Sequence, residues 1–127
     1  MERVLSIAVI GAGSAGPAAA TLLARQGHHV QLFDQAKKNL PVGAGFMLQP
    51  SGMEVLHQLE CLEDVLNNTS TIHSLFCKNT QEKTLLDLNY KAVAPHRFGA
   101  GTLRSSFLNI LLNTTEKTMY LFIGTAP

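Results

Sequence analysis

Gly11, Gly13 and Gly16 stand between a short apolar run and an alanine- and leucine-rich one in "VIGAGSAGPAAATLLARQG". Their spacing is G-x-G-x-x-G, and the chemistry open to it is the holding of a diphosphate. The first glycine permits a tight turn. The second lets a pyrophosphate approach the backbone, and the third lets a helix pack closely on the preceding strand. The unpaired amides and dipole at the helix start favour the negative charge. Asp34 follows 23 residues after Gly11, where a carboxylate accepts hydrogen bonds from both hydroxyls of an adenosine ribose and repels a 2′-phosphate. The alternative is a glycine-rich turn with no ligand.

Two further features bear on chemistry. Gly43 and Gly45 form a second glycine pair in "NLPVGAGFMLQPSG", where a simple NAD-binding unit runs on into another helix and parallel strand. The pair either brings backbone close to something bulky, such as a flavin ring, or is an ordinary loop with a kink. Arg104 lies at the start of an apolar helical stretch, where a cation opposes the helix dipole. It is either solvated or partnered by an anion such as a phosphate.

The elements that must position these residues follow from periodicity. Residues 4–10 are continuously apolar and of strand length, as in a parallel strand buried on both faces. Residues 18–26 read as a helix, with Pro17 in its first turn and Gly27 as C-terminal cap. Residues 29–33 make a second strand that Asp34 ends. A helix begins near Pro50, capped by Ser51, with Met53, Leu56 and Leu59 at helical spacing. Residues 71–78 and 84–90 alternate as a hairpin around "NTQEK", with Leu86, Leu88 and Tyr90 on one face. Tyr90 reads as a packing residue. Thr102 caps a helix whose apolar positions are Leu103, Phe107, Leu108, Leu111 and Leu112, and residues 119–123 read as a strand.

Composition narrows the class. The chain has 127 residues, 46% hydrophobic and 15% charged, with a net charge of +1. That fits one globular domain and favours neither nucleic acid nor an anionic membrane surface as partner. The uncharged run 4–24 spans 21 residues, near the length of a membrane span. Glycines and Pro17 in its middle argue against a lipid-facing helix. Glu2-Arg3 is a poor signal-peptide start, and the chain is read as soluble and cytoplasmic. Cys61 and Cys77 lack metal spacing and read as reduced, buried apolar residues. The five histidines, 28, 29, 57, 73 and 96, likewise show no metal spacing and read as non-catalytic. Sequons at Asn67, Asn68 and Asn113 matter only in a secreted chain.

Three stretches, "VIGAGSAGPAAATLLARQGHHVQLFDQA", "LPVGAGFMLQPSGMEVLHQLECLEDVL" and "GTLRSSFLNILL", occur in an order that resembles the N-terminal part of flavin-dependent monooxygenases of the aromatic-hydroxylase class. These are relatives of para-hydroxybenzoate hydroxylase and the ubiquinone-biosynthesis hydroxylases. The resemblance implies an α/β fold, a Rossmann-like FAD-binding half-domain of glutathione-reductase type with parallel strands and an inserted β-hairpin. It implies FAD as cofactor and, in the whole enzyme, hydroxylation of an aromatic or similar small organic substrate with NAD(P)H and oxygen. Gly11, Gly13, Ser14, Ala15 and Gly16 are then expected along the FAD pyrophosphate, and Asp34, with Gln35 beside it, at the adenosine ribose. Gly43, Ala44 and Gly45 are expected beside the flavin end, and Arg104 facing the phosphates. No catalytic acid, base or nucleophile is expected, because the flavin does the oxygen chemistry.

The sequence departs from that pattern at three places. Gln35 stands where many relatives have arginine, Leu103 where a histidine often precedes the arginine, and Asp34 is one methylene shorter than the commoner glutamate. The expected organisation is a single incomplete FAD-binding domain over 1–127. Within it, 1–60 form the Rossmann and flavin-side part, 70–91 the hairpin of the substrate sheet, and 102–123 a helix and strand returning to the FAD domain. The family's later Asp-Gly and Gly-Asp motifs are not in this sequence, so it reads as a truncated chain without turnover. Its first strand then has an unpaired apolar edge that invites self-association. A non-catalytic nucleotide-binding fragment and an NAD-binding module are the other readings. The Gly43–Gly45 segment and the Arg104 helix disfavour the second.

Overall fold

The computed structural model describes residues 3–35 and 44–119. The first apolar run forms β1 (Ser6–Ile10), the alanine-rich run α1 (Ala15–Arg25), and the next apolar run β2 (His29–Phe33). β1 and β2 pair in parallel, with Ile7 opposite Val30 and Val9 opposite Leu32. α1 starts three residues before its expected position, with Ser14 as N-cap and Pro17 within the first turn. A proline there loses no intrahelical hydrogen bond, because the first-turn amides have no acceptor in any case. Gly27 ends the helix as expected, at φ 88° and with its N–H on the Ala24 carbonyl at 3.0 Å, a left-handed cap that glycine adopts without strain.

β1 is not buried on both faces as the run of apolar residues suggested. Its side chains alternate, and Ile10 is 75% exposed. α1 packs on this sheet, and Ser6, Ala8, Ile10, His29 and Gln31 are exposed.

The remainder runs β3 (Gly45–Leu48), α2 (Pro50–Gln58), α3 (Leu62–Leu66), β4 (Thr69–Ile72), β5 (Ser74–Lys78), β6 (Thr84–Asn89), α4 (Tyr90–Val93), β7 (Gly99–Leu103) and α5 (Arg104–Thr118). β7 is the centre of an antiparallel sheet in the order β3-β7-β4, and β5 with β6 makes a separate hairpin. Four local expectations change. Residues 69–72 pair with β7, and the hairpin begins only at Ser74. Ser51 is not a cap: Gln49 occupies that position, and Pro50 opens α2, its ring already set at a helical φ. Thr102 is not a cap either, but a buried residue of β7; Leu103 is the N-cap of α5 and is 61% exposed rather than core-facing. Tyr90 lies in α4 and not on the hairpin face. It is buried, its hydroxyl donating to Gln49 Oε1 at 2.7 Å, which bears out a packing role.

The core gathers Leu48, Met53, Leu56, Leu59, Cys61, Val65, Ala100, Phe107 and Leu111, with Ala18 and Leu22 of α1 packed against it. Each large apolar side chain so buried contributes about 1.5–3 kcal/mol before entropy is counted. Thr21 and Thr115 carry polar atoms into the α1–α5 contact. Their hydroxyls lie 3.0 Å apart and are further satisfied by the Pro17 and Leu111 carbonyls, so burial leaves neither unpaired.

Arg25 joins the two halves. It donates to the Gln58 and Leu59 carbonyls at 2.9 and 3.1 Å, at the C-terminal end of α2, and meets Glu60 at 3.4 Å. The exposed ion pair adds little, whereas the guanidinium satisfies carbonyls at the negative end of the helix dipole. Arg25→Ala is expected to cost about 1–2 kcal/mol, read as a lower urea midpoint at unchanged slope.

Both cysteines are free thiols; Cys61 is buried, but Cys77 is exposed, on the β5–β6 hairpin. Burial pushes the Cys61 thiol above its ordinary value of 9.0. The native state should therefore expose one thiol to Ellman's reagent at neutral pH, lost in Cys77→Ser, with Cys61 reacting only on unfolding. Because the folded state favours the neutral thiol, this group's contribution is full below 9.0 and declines as pH rises through the folded value.

Candidate functional site

The three glycines of the turn meet three different surroundings. Gly11 has φ 102°, a backbone that side chains rarely adopt, and its N–H donates to the Phe33 carbonyl at 2.7 Å. A Cβ at Gly16 would lie 1.8 Å from the Gly11 carbonyl oxygen and 3.4 Å from Leu32 Cδ1. The close approach of α1 to the turn therefore requires glycine there. Around Gly13 nothing lies within 4 Å of the position a Cβ would take. The protein's own atoms do not demand a glycine at 13, and the space over it is open.

Helix α1 starts directly behind this opening. Ser14 and Ala15 are exposed, and Ser14 makes no capping hydrogen bond through its side chain. The first-turn amides of Ala15 and Gly16 have no intrahelical acceptors, and no acidic residue occupies that turn. The dipole end is thus left for an anion from outside the chain. Asp34 closes the other side: its Oδ2 accepts the Ala12 N–H at 2.5 Å. The parallel pairing of β1 with β2 brings these two residues together across 22 positions of sequence. Gln35 follows, exposed.

A second group forms at the edge of the β3-β7-β4 sheet. Gly43 lies outside the described residues. Ala44 is exposed, and Gly45 is the first residue of β3, directly opposite Leu103 at the end of β7. Register therefore places Gly45 opposite the residue that precedes Arg104, which opens α5. A Cβ at Gly45 would meet the Thr102 carbonyl oxygen at 3.1 Å, so the neighbouring strand already asks for a small residue. Phe46 and Phe107 meet edge to face, centroids 5.0 Å apart at 85°, fixing β3 over the first turns of α5. Arg104 is exposed, with no acidic residue in its helix's first turn and no described residue offering its guanidinium a carboxylate. A cavity of about 700 Å³ on this sheet is lined by residues including Gly45, Phe46, Thr69, Gly101 and Leu103. None of the glycine-turn residues lines it.

The structure thus forms two groups, one of Gly11, Ala12, Gly13, Ser14, Ala15, Gly16, Asp34 and Gln35, the other of Ala44, Gly45 and Arg104. The packing of α5 on α1 links the elements that carry them. Sequence reasoning missed two contributors. One is the Ala12 amide, which no side-chain pattern signals. The other is β7, whose "GAGTL" lacks the β-branched and aromatic content that marks a strand. No cluster of three metal-ligating side chains forms among the described residues. No described helix is long and apolar enough to cross a membrane.

Comparison with known proteins gives the same picture at the level of family. Residues 4–121 match the family described as FAD binding domain. A hispidin-3-hydroxylase of Neonothopanus nambi is 38% identical over 71 residues, 56% of this chain and 17% of its own. A 6-hydroxynicotinate 3-monooxygenase of Bordetella bronchiseptica is 46% identical over 67 residues, 53% of this chain and 17% of its own. Among solved structures, the tetrameric form of 2-methyl-3-hydroxypyridine-5-carboxylic acid oxygenase superposes with a TM-score of 0.77 at 23% identity, over 97% of this chain and 32% of that one. PqsL of P. aeruginosa, in complex with 2-aminobenzoylacetate, gives 0.79 at 22% identity, over 96% and 33%. The chain spans about a third of the length of these solved relatives and about a sixth of the curated ones.

Proposed function

This chain belongs to the FAD binding domain family, and from that premise we propose that it holds FAD by the diphosphate at its glycine turn. The observation that carries the reading is the open space over Gly13 beside an unpaired helix start, a cradle that any side chain at 13 would fill. Gly11, Gly13, Ser14, Ala15 and Gly16 offer the backbone, and Asp34 and Gln35 stand at the adenosine side. Gly43, Ala44 and Gly45 pass the flavin end, and Arg104 supplies the cation for the phosphates. When bound, the flavin supplies the redox and oxygen chemistry. The residues of this chain orient it and exclude no more water than their own surface covers.

For a whole enzyme we propose hydroxylation of an aromatic or similar small organic substrate with NAD(P)H and oxygen. The names of the relatives support this: they include a 3-amino-4-hydroxybenzoate 2-monooxygenase and two 6-hydroxynicotinate 3-monooxygenases. All of 4–121 then serves one FAD-binding domain, with the β5–β6 hairpin as a cover toward substrate. Two free thiols suit a cytoplasmic setting.

Flavin fluorescence titration tests the cofactor. FAD is expected to bind saturably, and Arg104→Ala to weaken it about tenfold through loss of a charge-assisted contact. Saturable binding of NAD without FAD contradicts the proposal. We also propose self-association along β1, which pairs only with β2 among the described residues and exposes Val4, Leu5 and Ile10. Sedimentation velocity is expected to show concentration-dependent association that Ile10→Lys reduces. A wild-type chain monomeric at every concentration rejects this.

A further inference from the structure

A second cavity, of about 560 Å³, is lined by none of the residues of the glycine turn and by neither Gly45 nor Arg104. Its volume lies within the roughly 300–1,000 Å³ of small-molecule sites. Three segments build it. α2 contributes Met53, Glu54 and His57, α3 contributes Leu62 and Leu66, and the segment between α4 and β7 contributes Arg97 and Phe98. That last segment is set by a turn in which the Arg97 N–H donates to the Ala94 carbonyl at 3.0 Å. Floor and rim differ in chemistry. Met53 belongs to the core, and Leu62, Leu66 and Phe98 pack against it, so the apolar floor is held in place from beneath. Glu54 and Arg97 are exposed at the rim, with His57 and His96. None of these four side chains makes a hydrogen bond or ion pair among the described residues. A carboxylate and a guanidinium therefore stand on one cavity without pairing with each other. A carboxylic acid alone would answer Arg97 and be repelled by Glu54; an amine alone would do the reverse. A zwitterion with an apolar body answers both charges. We propose that this cavity is a second small-molecule site, which takes an amino acid with an aromatic side chain. The ring packs on the floor beside Phe98, the carboxylate meets Arg97, and the ammonium meets Glu54. His57 and His96 offer further ring nitrogens at the rim.

Amide NMR shifts of the purified, isotope-labelled chain, followed through a titration with phenylalanine, test the assignment. Saturable shifts are expected at His57, Leu62, Leu66 and Phe98, with one common dissociation constant. Hydrocinnamate and phenethylamine keep the ring but each lack one of the two charges. Each is expected to bind about three- to fivefold more weakly than phenylalanine, the size of an exposed charge contact. Arg97→Ala should remove the advantage of phenylalanine over phenethylamine, and Glu54→Gln its advantage over hydrocinnamate, each leaving the other advantage in place. Both positions are exposed, so the fold is expected to accept both changes. Hydrocinnamate or phenethylamine binding as tightly as phenylalanine overturns the proposal, because one of the two charges then makes no contact. Advantages that survive both substitutions overturn it as well, and so does the lack of saturable shifts at these four residues. The FAD reading is untouched by any of these outcomes.

Discussion

Gly16→Ala is expected to yield a chain that does not reach the native fold at 37 °C. The added methyl carbon would stand 1.8 Å from the Gly11 carbonyl oxygen, a backbone atom that cannot rotate aside. Relief requires either that α1 lift from the turn or that the turn itself change shape. Lifting α1 loosens its contact with β2, where Leu32 is fully buried, and with α5, where Thr21 meets Thr115. Reshaping the turn breaks the Gly11–Phe33 and Ala12–Asp34 bonds. Ordinary overpacking costs about 1–3 kcal/mol, and a clash with rigid backbone exceeds that range. Against a domain stability of about 5–15 kcal/mol, the loss is a large fraction. Thermal unfolding followed by circular dichroism checks it; a melting temperature within a few degrees of wild type would show that α1 and the turn do not pack as described.

Gly13→Val has the opposite signature. Nothing lies within 4 Å of the new Cβ, so the fold accepts the side chain with a stability change of about 1 kcal/mol or less, of the order seen at exposed positions. The isopropyl group would occupy the space proposed for the diphosphate, and FAD affinity is expected to fall about a hundredfold or more, since both the phosphate contact and its approach to the amides are lost. On the proposed site the two glycines three residues apart divide the roles: one is required by the fold, the other by the ligand. Binding that survives Gly13→Val in a folded chain would place the phosphate elsewhere.

The portion around the turn was legible in the sequence because its signals are local. An apolar run, three glycines, alanines and an acid each state their backbone requirement without reference to distant residues, and β1, α1, β2 and Asp34 took the expected order. What failed depended on partners far away in the chain. The two-sided burial read from residues 4–10 needed a covering layer that the described residues do not provide. β7 became a strand through pairing with Gly45–Leu48 and Thr69–Ile72, not through the propensity of its own residues. That pairing also moved Thr102 from a cap into a buried strand position and turned Leu103 outward. Tyr90 left the hairpin because the chain turns into α4 there, where its hydroxyl finds Gln49. Cys77 read as a buried thiol from composition, yet it is exposed on the β5–β6 hairpin. Gly45 and Arg104 were singled out separately; only the β3–β7 register sets Gly45 opposite the residue that precedes Arg104.

The central claim, that the glycine turn holds FAD, is tested most directly by titrating the purified chain with FAD and following flavin fluorescence, with Gly13→Val alongside at matched melting temperature. The account predicts saturable one-to-one binding by wild type and its loss in Gly13→Val. A wild-type chain shown to be folded that leaves FAD fluorescence unchanged would contradict it.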